Sequence, residues 1–546
     1  MQIDTWSNTY PRPQFIRNSF FNLNTGWTLN NKPINIPFCP QSKASQYDGD
    51  IQDNLHYEIT FSLPNTFYNS DDRVILHFGA VDQLCTVYLN NHKVGYHEGG
   101  YLPFSLDITD YLEDCNNMIV EVIDTLSHDY PYGKQRKDRG GMWYTPVSGI
   151  WQTVWLEAIP KENINNIKIT PTLNSIHLEV DTNASEYTIT IPLQSHIFKK
   201  TYHDKSIDIV FSEEDIHLWD TTSPYLYTLY IDTDKDHIES YFALRTISIN
   251  HKNQVCLNNK PIFLNGVLDQ GYFMDGIYLP DTPKGYIDDV CNMQDLGFNT
   301  LRKHIKIEPD IFYYICDKYG MLVMQDMVNN GGYNFFFDTA LPNIGLTYRP
   351  DTIGGNKKQK DIFIKHSKDI LALLYNHPSI VAYTIFNEGW GQFEADKVYS
   401  ILKPLDPNRL FDATSGWYQQ KLSDFDSLHV YFKTKELKTK KDKPIYLSEC
   451  GGYTRLIEDH VFDKNKTYGY GKADSEDTLT SMIENLYEKM ILNSIKNGLC
   501  GSVYTQLSDV EDEINGLYTY DRKVCKVNKE RMVNLAIRIN QIMNGE

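Results

Sequence analysis

The first part of the chain alternates apolar and polar positions in short runs, as half-buried β-strands do. Residues 55–61 (LHYEITF) and 175–180 (SIHLEV) show this period of two, and turn residues such as Asn90-Asn91 separate the runs. Short strands at this spacing are typical of sandwich folds. We therefore predict a jelly roll or sandwich over residues 1–160 and an immunoglobulin-like β-sandwich over residues 161–248.

From residue 249 to residue 546, apolar runs of strand length alternate with stretches of helical periodicity. Eight such units in about 300 residues predict a (β/α)8 TIM barrel, with a helix between consecutive strands. We place the first barrel strand at residues 261–264, the fourth at residues 380–386 and the seventh at residues 445–448. The predicted fold class is multidomain: a β jelly roll or sandwich, an immunoglobulin-like β-sandwich and a C-terminal TIM barrel.

Two of the predicted barrel strands end on a glutamate that is followed by glycine within two residues. Glu388 follows the fourth strand in FNEGW, and Glu449 follows the seventh strand in LSECGGY. A carboxylate at the end of a buried strand is costly unless it is paired or used. Because strand ends converge on one face of a barrel, two facing carboxylates there suit glycoside hydrolysis. A salt bridge across a loop is the alternative interpretation of each glutamate alone.

The chain resembles members of glycoside hydrolase family 2, the family of β-galactosidases, β-glucuronidases and β-mannosidases. The matching pieces are FNEGW around Glu388, LSECGGY around Glu449, and the segments 85–109, 139–157 and 503–522. The resemblance implies a retaining exo-β-glycosidase, in which Glu388 is the general acid/base and Glu449 is the nucleophile. It also implies that the N-terminal domain is sugar-binding-like.

The resemblance further implies substrate-binding residues after the first two barrel strands. Asp269 is a candidate to bind sugar hydroxyls, with an ordinary capping aspartate as the alternative. Arg302 is expected to pair with Glu449 and keep it ionised, since a neighbouring cation lowers the pKa of a carboxyl group. His304 is expected to contact a sugar hydroxyl, unless it is a satisfied core histidine.

Four more candidates follow the fourth, fifth and sixth strands, together with Asn387, which the resemblance assigns to the sugar 2-hydroxyl. Trp390 and Trp417 either wall the pocket or pack in the core. His429 and Tyr431 point the same way because side chains alternate along a strand. The resemblance places the hydroxyl of Tyr431 beside the nucleophile.

An N-terminal loop is a further candidate for the pocket. The segment 139–157 combines Gly140-Gly141 and Pro146 with a closing strand, and in the family this loop reaches toward the catalytic site. Trp143 and Tyr144 in this loop line the pocket or pack the domain interface; the sequence leaves both alternatives open.

Composition narrows the range of partners. The chain carries 71 acidic and 52 basic residues, a formal net charge of −19, which argues against nucleic acid or an anionic membrane surface. Long apolar runs and an N-terminal signal core are absent from the sequence, and nine cysteines are scattered singly. We expect a soluble, cytoplasmic protein with a carbohydrate substrate and no membrane partner, and we leave open whether it forms homo-oligomers.

The eighth-strand loop bears on which sugar is bound. The resemblance implies that a β-glucuronidase would carry Asn-x-Lys here to hold the substrate carboxylate, whereas this chain has Glu513-Ile514-Asn515 inside the acidic run 509–513. A negative loop should repel a uronate, so we rank a neutral hexose, as in a β-galactosidase, above glucuronate. The segment 325–332 (QDMVNNGG) lacks the acid and histidine that would bind magnesium, so we predict no metal and no cofactor.

Other functions stay open at this stage. The alternatives closest to the main hypothesis keep the same scaffold: a β-mannosidase, a β-glucuronidase or a pentosidase. A non-catalytic carbohydrate-binding protein is a different class, which the presence of both glutamates and Asn387 disfavours. A structural role has only the immunoglobulin-like domain in its support.

Overall fold

The structure of the protein is a computed structural model that describes residues 2–343, 346, 351, 354–432, 434–439 and 441–545. Its N-terminal region is built from antiparallel sheets, and strand Asn54–Phe61 buries every second side chain as the sequence pattern predicts. In spatial order, the six-stranded sheet contains Lys32–Pro33, Thr28–Leu29, Asn54–Phe61, Asn116–Ile123, Leu84–Leu89 and His92–Glu98. The four-stranded sheet contains Phe21–Asn22, Val154–Ile159, Arg73–Phe78 and Phe104–Asp107, and Val81–Asp82 pairs separately with Gly149–Ile150. Leucine, valine and isoleucine side chains from both sheets form one core.

A second β-sandwich follows, with its own apolar core of isoleucine, leucine and aromatic residues. One sheet contains Ile164–Pro171, Ser175–Thr182 and Ser206–Val210; the other contains Ile197–Tyr202, Tyr187–Pro192, Tyr227–Asp232 and His237–Phe242. A small sheet of Ile247–Ile249, Val255–Leu257 and Lys260–Pro261 then leads into the barrel. Single-turn 3₁₀ helices occur at Thr109–Tyr111, Glu213–Asp215, Lys403–Leu405 and Glu458–His460.

The C-terminal part is a nearly closed barrel of eight parallel strands. In chain order these strands are Leu264–Asp269, Thr300–Lys303, Leu322–Asp326, Ile380–Asn387, Leu410–Ser415, Asp426–Val430, Ile445–Gly451 and Leu499–Thr505. Neighbours along the ring follow the order five, four, three, two, one, eight, seven, six, so the fifth and sixth strands lie at its two ends. Parallel pairing brings the carboxyl ends of all these strands to one face.

The barrel helices explain most of the predicted helical periodicity. They are Lys284–Asp295, Asp310–Tyr319, Lys357–Leu374, Ala395–Leu402, Glu476–Leu486 and Lys529–Asn544, with shorter pieces at Phe336–Ala340, Leu341–Asn343, Tyr487–Leu492 and Asn493–Ile495. A small parallel pair joins Tyr453–Arg455 to Tyr470–Ala473. The expectation of a helix after every strand is wrong for the fifth strand, since residues 416–425 are all described and contain none. The described residues between the sixth and seventh strands likewise contain no helix.

The predicted position of the first barrel strand is also wrong. Lys260–Pro261 belongs to the small antiparallel sheet, and the barrel strand runs over Leu264–Asp269. The pair Asn265-Gly266 suggests a break in the sequence, because glycine weakens an ordinary strand. In the barrel, a Cβ at Gly266 would lie 3.1 Å from the carbonyl oxygen of Ser502, so the glycine permits close approach of the eighth strand.

The N-terminal sandwich contacts the open face of the barrel. The hydroxyl of Tyr132 donates to the carbonyl of Gly331 at 2.8 Å, and the ring of Trp143 packs edge-on against Trp390 at 4.9 Å between centroids. Loops from the first 150 residues therefore cover part of the face on which the barrel strands end. Among the helices of the described residues, none combines the length and the hydropathy that crossing a membrane requires.

Candidate active site

Glu388 stands at the end of the fourth barrel strand in a strained backbone conformation. Its φ is +54°, in the left-handed region that non-glycine residues seldom adopt. The amide of Glu388 donates to the carbonyl of Ser415 at 3.0 Å, which ties it to the end of the fifth strand. Such strain costs on the order of 1–3 kcal/mol and is concentrated at functional sites. The conformation turns the side chain out of the strand, where 20% of it is exposed.

Glu449 lies within the last residues of the seventh strand and is buried. One carboxylate oxygen accepts a hydrogen bond from Arg302 Nη1 at 3.0 Å, and the other accepts one from the hydroxyl of Tyr431. Burial alone would raise the pKa of Glu449, but the charges of His429 and Arg302 and the Tyr431 hydrogen bond outweigh it and hold the pKa below its usual range. Glu449 is therefore ionised at neutral pH.

The two glutamates face each other across His429. A carboxylate oxygen of Glu388, one of Glu449 and a ring nitrogen of His429 all lie within 4.8 Å of one another. His429 Nδ1 is 2.9 Å from Glu388 Oε1 and 3.5 Å from Glu449 Oε2, and Nε2 is 3.0 Å from the hydroxyl of Ser415. The side chain of His429 is fully buried, and its ring lies between the two carboxylates on one side and Ser415 on the other.

Arg302, on the second strand, is the buried cation of the site. Its guanidinium binds both carboxylate oxygens of Asp326 at 3.0 Å, and it donates to Asn387 Oδ1 at 2.8 Å as well as to Glu449. Burial opposes the charge of Arg302, yet Asp326 and Glu449 raise its pKa above the usual value. The predicted pairing of Arg302 with Glu449 is present, and the same side chain also fixes Asn387.

His304 and Asn387 lie next to each other behind the glutamates. Asn387 Nδ2 is 3.4 Å from His304 Nε2, and His304 Nδ1 has no hydrogen-bond partner among the described residues. Burial and the neighbouring charge of Arg302 lower the pKa of His304 well below its usual value, so the ring is neutral. The alternative of a fully satisfied core histidine does not fit this unpartnered nitrogen.

Aromatic side chains surround the two carboxylates. The indole of Trp417 donates to the carbonyl of Glu388 at 2.9 Å and packs edge-on against His429. Tyr431 also contacts Thr505 at 3.2 Å, and its ring packs against Tyr470 at 4.5 Å between centroids. Burial and the charge of Glu449 raise the pKa of Tyr431 well above its usual value, so it remains a hydrogen-bond donor.

Trp390, Trp143 and Tyr144 lie in the contact between the N-terminal sandwich and the barrel. Trp390 is buried, donates to the hydroxyl of Tyr132 at 3.2 Å and packs against Trp143. Tyr144 is also buried, and its hydroxyl donates to Glu513 in the eighth-strand loop. For these three aromatic residues, the alternative of packing agrees with the contacts that the structure shows.

Asp269 ends the first barrel strand and is buried. Its carboxylate accepts from Lys303 Nζ at 2.7 Å and from the amide of Gly271 at 2.8 Å. Lys303 and Lys306 both bind Glu308 as well, which makes a buried cluster of two cations and two anions. Burial would raise the pKa of Asp269, but Lys303 lowers it overall. These contacts explain Asp269 as part of a structural ion cluster at the end of the first strand.

Sequence reasoning missed two charged residues at this face. Asp326 ends the third strand and forms the two-point contact with Arg302; an aspartate after an apolar run was the available signal. Lys134 comes from the N-terminal sandwich, and no pattern in the sequence indicates its position. The neighbouring Gly133 packs so closely that a Cβ there would lie 2.9 Å from the carbonyl oxygen of Ile305, next to His304.

Lys134 is a cation without an ion-pair partner among the described residues. Its carbonyl accepts from the amide of Tyr144 at 3.0 Å, which joins two parts of the same N-terminal segment. Burial raises the pKa of Glu513, and the charge of Lys134 opposes this rise. The charge of Lys134 also lowers the pKa of Glu449, with a smaller effect than His429, Arg302 and Tyr431.

The acidic run of the eighth-strand loop does not form the free negative surface that we expected. Asp509 pairs with the buried Lys526 at 2.7 Å. Arg139, from the N-terminal loop, pairs with both Glu511 and Asp512 at 3.4 and 3.2 Å. Most of this acidic charge is therefore compensated inside the protein, and the argument that it repels a uronate loses much of its force.

Glu388, His429 and Glu449 are also close enough to hold a metal ion between them. The hydrogen bonds that Glu449 receives from Arg302 and Tyr431 occupy both of its oxygens, however. A divalent cation would have to displace these donors and would be repelled by the buried guanidinium. The donor set therefore fits two working carboxyl groups better than a metal centre.

Comparison with known protein families agrees with this geometry. The model described as "Glycosyl hydrolases family 2, sugar binding domain" matches residues 27–160, and "Glycosyl hydrolases family 2, TIM barrel domain" matches residues 247–455. Together these matches cover more than half of the 546 residues. The chain belongs to glycosyl hydrolase family 2. This family 2 protein is thus a glycoside hydrolase, and the identification made from its sequence motifs is confirmed.

Individual relatives of this family 2 enzyme are distant. The β-galactosidase large subunit of Lactobacillus acidophilus is 23% identical over 82% of this chain and 75% of its own length. The β-glucuronidase of Streptococcus agalactiae is 24% identical over 67% of this chain, which spans only 64% of that relative. Among solved structures, a β-glucuronidase of an uncultured Clostridium species matches with a TM-score of 0.75 at 19% identity, over 98% of this chain and all of the other. A β-galacturonidase of Eisenbergiella tayi matches with a TM-score of 0.69 at 16% identity, over 97% and 98% of the two chains. These structural matches show the shared fold.

Proposed function

We propose that this family 2 enzyme removes terminal β-linked sugars with retention of configuration. The observation that carries the proposal is the approach of Glu388 and Glu449 at the ends of the fourth and seventh strands, with carboxylate oxygens within 4.8 Å. Retaining enzymes hold their two carboxyl groups about 5–5.5 Å apart, whereas inverting enzymes leave about 6.5–9.5 Å for a water molecule. The short separation favours a double displacement.

In the first step, Glu388 in its protonated form gives its proton to the glycosidic oxygen while Glu449 attacks the anomeric carbon. The bond to the leaving group breaks and a covalent glycosyl-enzyme forms. Arg302 and Tyr431 support this step because they keep Glu449 ionised and aimed by two hydrogen bonds. Asn387, held by Arg302, is positioned to bind the sugar 2-hydroxyl.

In the second step, Glu388 has lost its proton and acts as a base toward a water molecule. The water attacks the anomeric carbon, releases Glu449 and restores the proton on Glu388. Two inversions give net retention. The partial exposure of Glu388, compared with the buried Glu449, suits a group that must exchange protons with leaving group and water.

For the glycone, we propose a neutral hexose, as the name of the β-galactosidase relative suggests. The eighth-strand loop offers Glu513-Ile514-Asn515 without a lysine, and the carboxyl group of Glu513 can accept a hydrogen bond from a sugar hydroxyl. The relatives include β-glucuronidases as well, so their names do not separate the two substrates.

A uronate is the second candidate, and Lys134 is the observation that favours it. Lys134 belongs to another domain, its charge lowers the pKa of Glu449 and opposes the rise at Glu513, and it has no ion-pair partner among the described residues. A substrate carboxylate bound by Lys134 would gain a charge-assisted hydrogen bond in a partly buried place. Lys134 would then replace the cation that the eighth-strand loop lacks.

The proposed reaction is tested with a panel of p-nitrophenyl β-glycosides, which includes galactoside, glucoside, mannoside, xyloside and glucuronide. We expect hydrolysis of one β-linked sugar, with kcat reduced at least a thousandfold in both Glu388→Gln and Glu449→Gln. Full turnover by either variant would contradict the assigned roles. Tight sugar binding without turnover by the wild type would favour the non-catalytic alternative.

The choice of glycone is tested with Lys134→Met, with Lys137→Met as the matched control. Lys137 lies in the same loop but pairs with Asp53 at 3.1 Å on the surface. If the substrate is a uronate, Lys134→Met should lower kcat/KM for the β-glucuronide about 10- to 100-fold, from the loss of a charged hydrogen bond. If the substrate is a neutral hexose, Lys134→Met should leave the preferred galactoside or glucoside with most of its activity.

We also propose a cytoplasmic location. All nine cysteines lie in the described residues and are free thiols. Free thiols are stable in a reducing compartment.

A further inference from the structure

Among the described residues, the carboxyl group of Glu388 has one hydrogen-bond partner, the imidazole ring of His429. Nδ1 of His429 lies 2.9 Å from Glu388 Oε1. An ionised carboxylate and an unprotonated ring nitrogen are both acceptors, and two acceptors do not approach to hydrogen-bond distance without a proton between them. The two side chains, called the Glu388–His429 pair below, therefore share one proton, which is carried either by the carboxyl group or by the ring.

Three consecutive residues at the end of the fifth strand fix the ring of His429. The hydroxyl of Ser415 lies 3.0 Å from Nε2. Gly416 makes room for the ring, since a Cβ there would lie 2.8 Å from Cγ of His429. Trp417 packs edge-on against the ring, with centroids 5.3 Å apart. The ring cannot turn away from Glu388 without breaking these contacts, so the fold itself maintains the pair.

The nucleophile makes loss of the shared proton costly. Without this proton, the Nδ1 lone pair would face carboxylate oxygens of Glu388 at 2.9 Å and of Glu449 at 3.5 Å. An isolated glutamate loses its proton at about pH 4.3 and an isolated imidazole at about pH 6.5. When two such groups interact closely, the proton belongs to the pair rather than to either group. A pair of this kind holds a proton to higher pH than a glutamate alone.

We propose that His429 is a positioning residue for the general acid and holds, together with Glu388, the proton that is given to the glycosidic oxygen. This inference rests on the proposed retaining mechanism. In the first step, the shared proton moves to the leaving oxygen while the bond from that oxygen to the anomeric carbon breaks and Glu449 forms the new bond. In the second step, the attacking water returns a proton to the pair. Because its side chain is fully buried, His429 acts through Glu388.

One neighbour of the pair also titrates near neutral pH. The groups whose charges act on the pair or on Glu449 are Lys134, Arg302, His304, Tyr333, Asp412, Tyr431, Tyr468 and Tyr470. Burial raises the pKa of each of these tyrosines, so they keep their protons. Asp412 is the exception, since burial raises its pKa to about 6. A test that uses pH must therefore separate Asp412 from the pair.

The dependence of rate on the leaving group tests the inference. A 2,4-dinitrophenolate leaves without protonation, whereas a phenolate requires a general acid. His429→Asn keeps an amide near the place of Nδ1 but cannot take up a proton. For the sugar that the enzyme prefers, we expect kcat/KM to fall about 100-fold or more on the phenyl β-glycoside and less than about tenfold on the 2,4-dinitrophenyl β-glycoside. A purely structural defect would lower both rates equally and would contradict the inference.

The pH profile is an independent readout. With the phenyl glycoside, the alkaline limb of kcat/KM should move to lower pH by about one unit or more in His429→Asn, because a lone glutamate gives up its proton earlier than the pair. Asp412→Asn is the matched control, since it removes the other carboxyl group that titrates in this range and leaves the pair in place. Its alkaline limb should coincide with that of the wild type. An unmoved limb in His429→Asn, or an equal displacement in both variants, would overturn the inference.

Glu388→Gln separates this inference from the proposed function. If Glu388 is the general acid, Glu388→Gln should also lose activity selectively on the phenyl glycoside. A selective loss in Glu388→Gln that is missing in His429→Asn would overturn the role of His429 alone. Equal losses on both substrates in Glu388→Gln would overturn the proposed roles of the glutamates, and the inference with them.

Ser415→Ala decides the question if His429→Asn fails to fold. It removes the hydroxyl at Nε2 of His429 and keeps the backbone carbonyl that accepts from the amide of Glu388. We expect a selective loss of about 2- to 10-fold on the phenyl glycoside, from the loss of one hydrogen bond to the ring. Equal rates of Ser415→Ala and the wild type on both substrates, or equal losses on both, would contradict the inference.

Discussion

At the scale of single residues, the two glutamates differ in how many hydrogen-bond donors contact their carboxylates. Glu449 is buried and accepts from Arg302 and Tyr431, with His429 close by. Glu388 is partly exposed and meets His429 alone among these three. The donors favour the charged form of Glu449, as a nucleophile requires, and leave Glu388 available for proton transfer.

The pH dependence of Tyr431→Phe tests this asymmetry. Loss of a hydrogen bond to a charged group costs about 1.5–3 kcal/mol, which raises the pKa of Glu449. Because the nucleophile must be ionised, the acidic limb of the kcat/KM profile should move to higher pH by about 1–2 units. The alkaline limb should stay in place.

Tyr446→Phe is the control for that measurement. Tyr446 lies on the same strand as Glu449, and its buried hydroxyl has no hydrogen-bond partner among the described residues. Its variant should keep the wild-type profile. An unmoved acidic limb in Tyr431→Phe, or an equal displacement in both variants, would argue against control of Glu449 by the Tyr431 hydroxyl.

Residues of the site differed in how well they could be predicted. Glu388 and Glu449 could be predicted from the sequence, because an apolar run that ends in a carboxylate shortly before glycine has few structural explanations. The contact of Arg302 with Glu449 also followed from the sequence and the family resemblance, and the structure contains it. Lys134 could not be predicted, because its place depends on how a separate sandwich packs on the barrel rather than on local pattern.

At the scale of elements, the barrel strands carry the site because their ends meet on one face. The fourth and seventh strands were predicted well, since long β-branched and aromatic runs are buried on both sides there. The first strand lies at Leu264–Asp269 rather than at residues 261–264, and a strand that contains Asn265-Gly266 is hard to detect because glycine weakens a strand. Packing explains the glycine, and packing between distant strands is not visible in sequence.

Gly266→Ala tests this explanation of the first strand. The added methyl would lie 3.1 Å from the Ser502 carbonyl oxygen and 3.2 Å from Val503 Cγ2. Overpacking of this kind costs about 1–3 kcal/mol, so the thermal unfolding temperature should fall by several degrees. Gly332→Ala is the control, since a Cβ there meets nothing within 4 Å. An unchanged unfolding temperature in Gly266→Ala would contradict the close approach of the first and eighth strands.

At the scale of the whole molecule, the N-terminal sandwich helps to build the site. Trp143 packs on Trp390, two residues after Glu388, and Arg139 compensates the acidic eighth-strand loop. The general architecture was predictable from periodicity and motif order. The contacts between the domains were not predictable, because no local sequence pattern marks either surface as part of an interface.

Trp143→Ala should therefore lower activity although Trp143 contacts neither carboxylate. Loss of the ring removes one of three edge-on aromatic partners of Trp390, the others being Tyr132 and Tyr333. Small displacements of a catalytic group cost about 10- to 100-fold in rate. We expect kcat/KM to fall by about this factor, whereas Trp143→Phe should recover most of it. Wild-type kinetics in a folded Trp143→Ala enzyme would show that the interface does not position Glu388.

The central claim is that Glu388 and Glu449 act as the acid/base and nucleophile of a retaining mechanism. Proton NMR of the first turnovers of the p-nitrophenyl β-glycoside that the enzyme prefers tests it most directly. The account predicts that the β-anomer of the sugar appears first and that the α-anomer grows in only by mutarotation. Initial release of the α-anomer would mean a single displacement and would contradict the account.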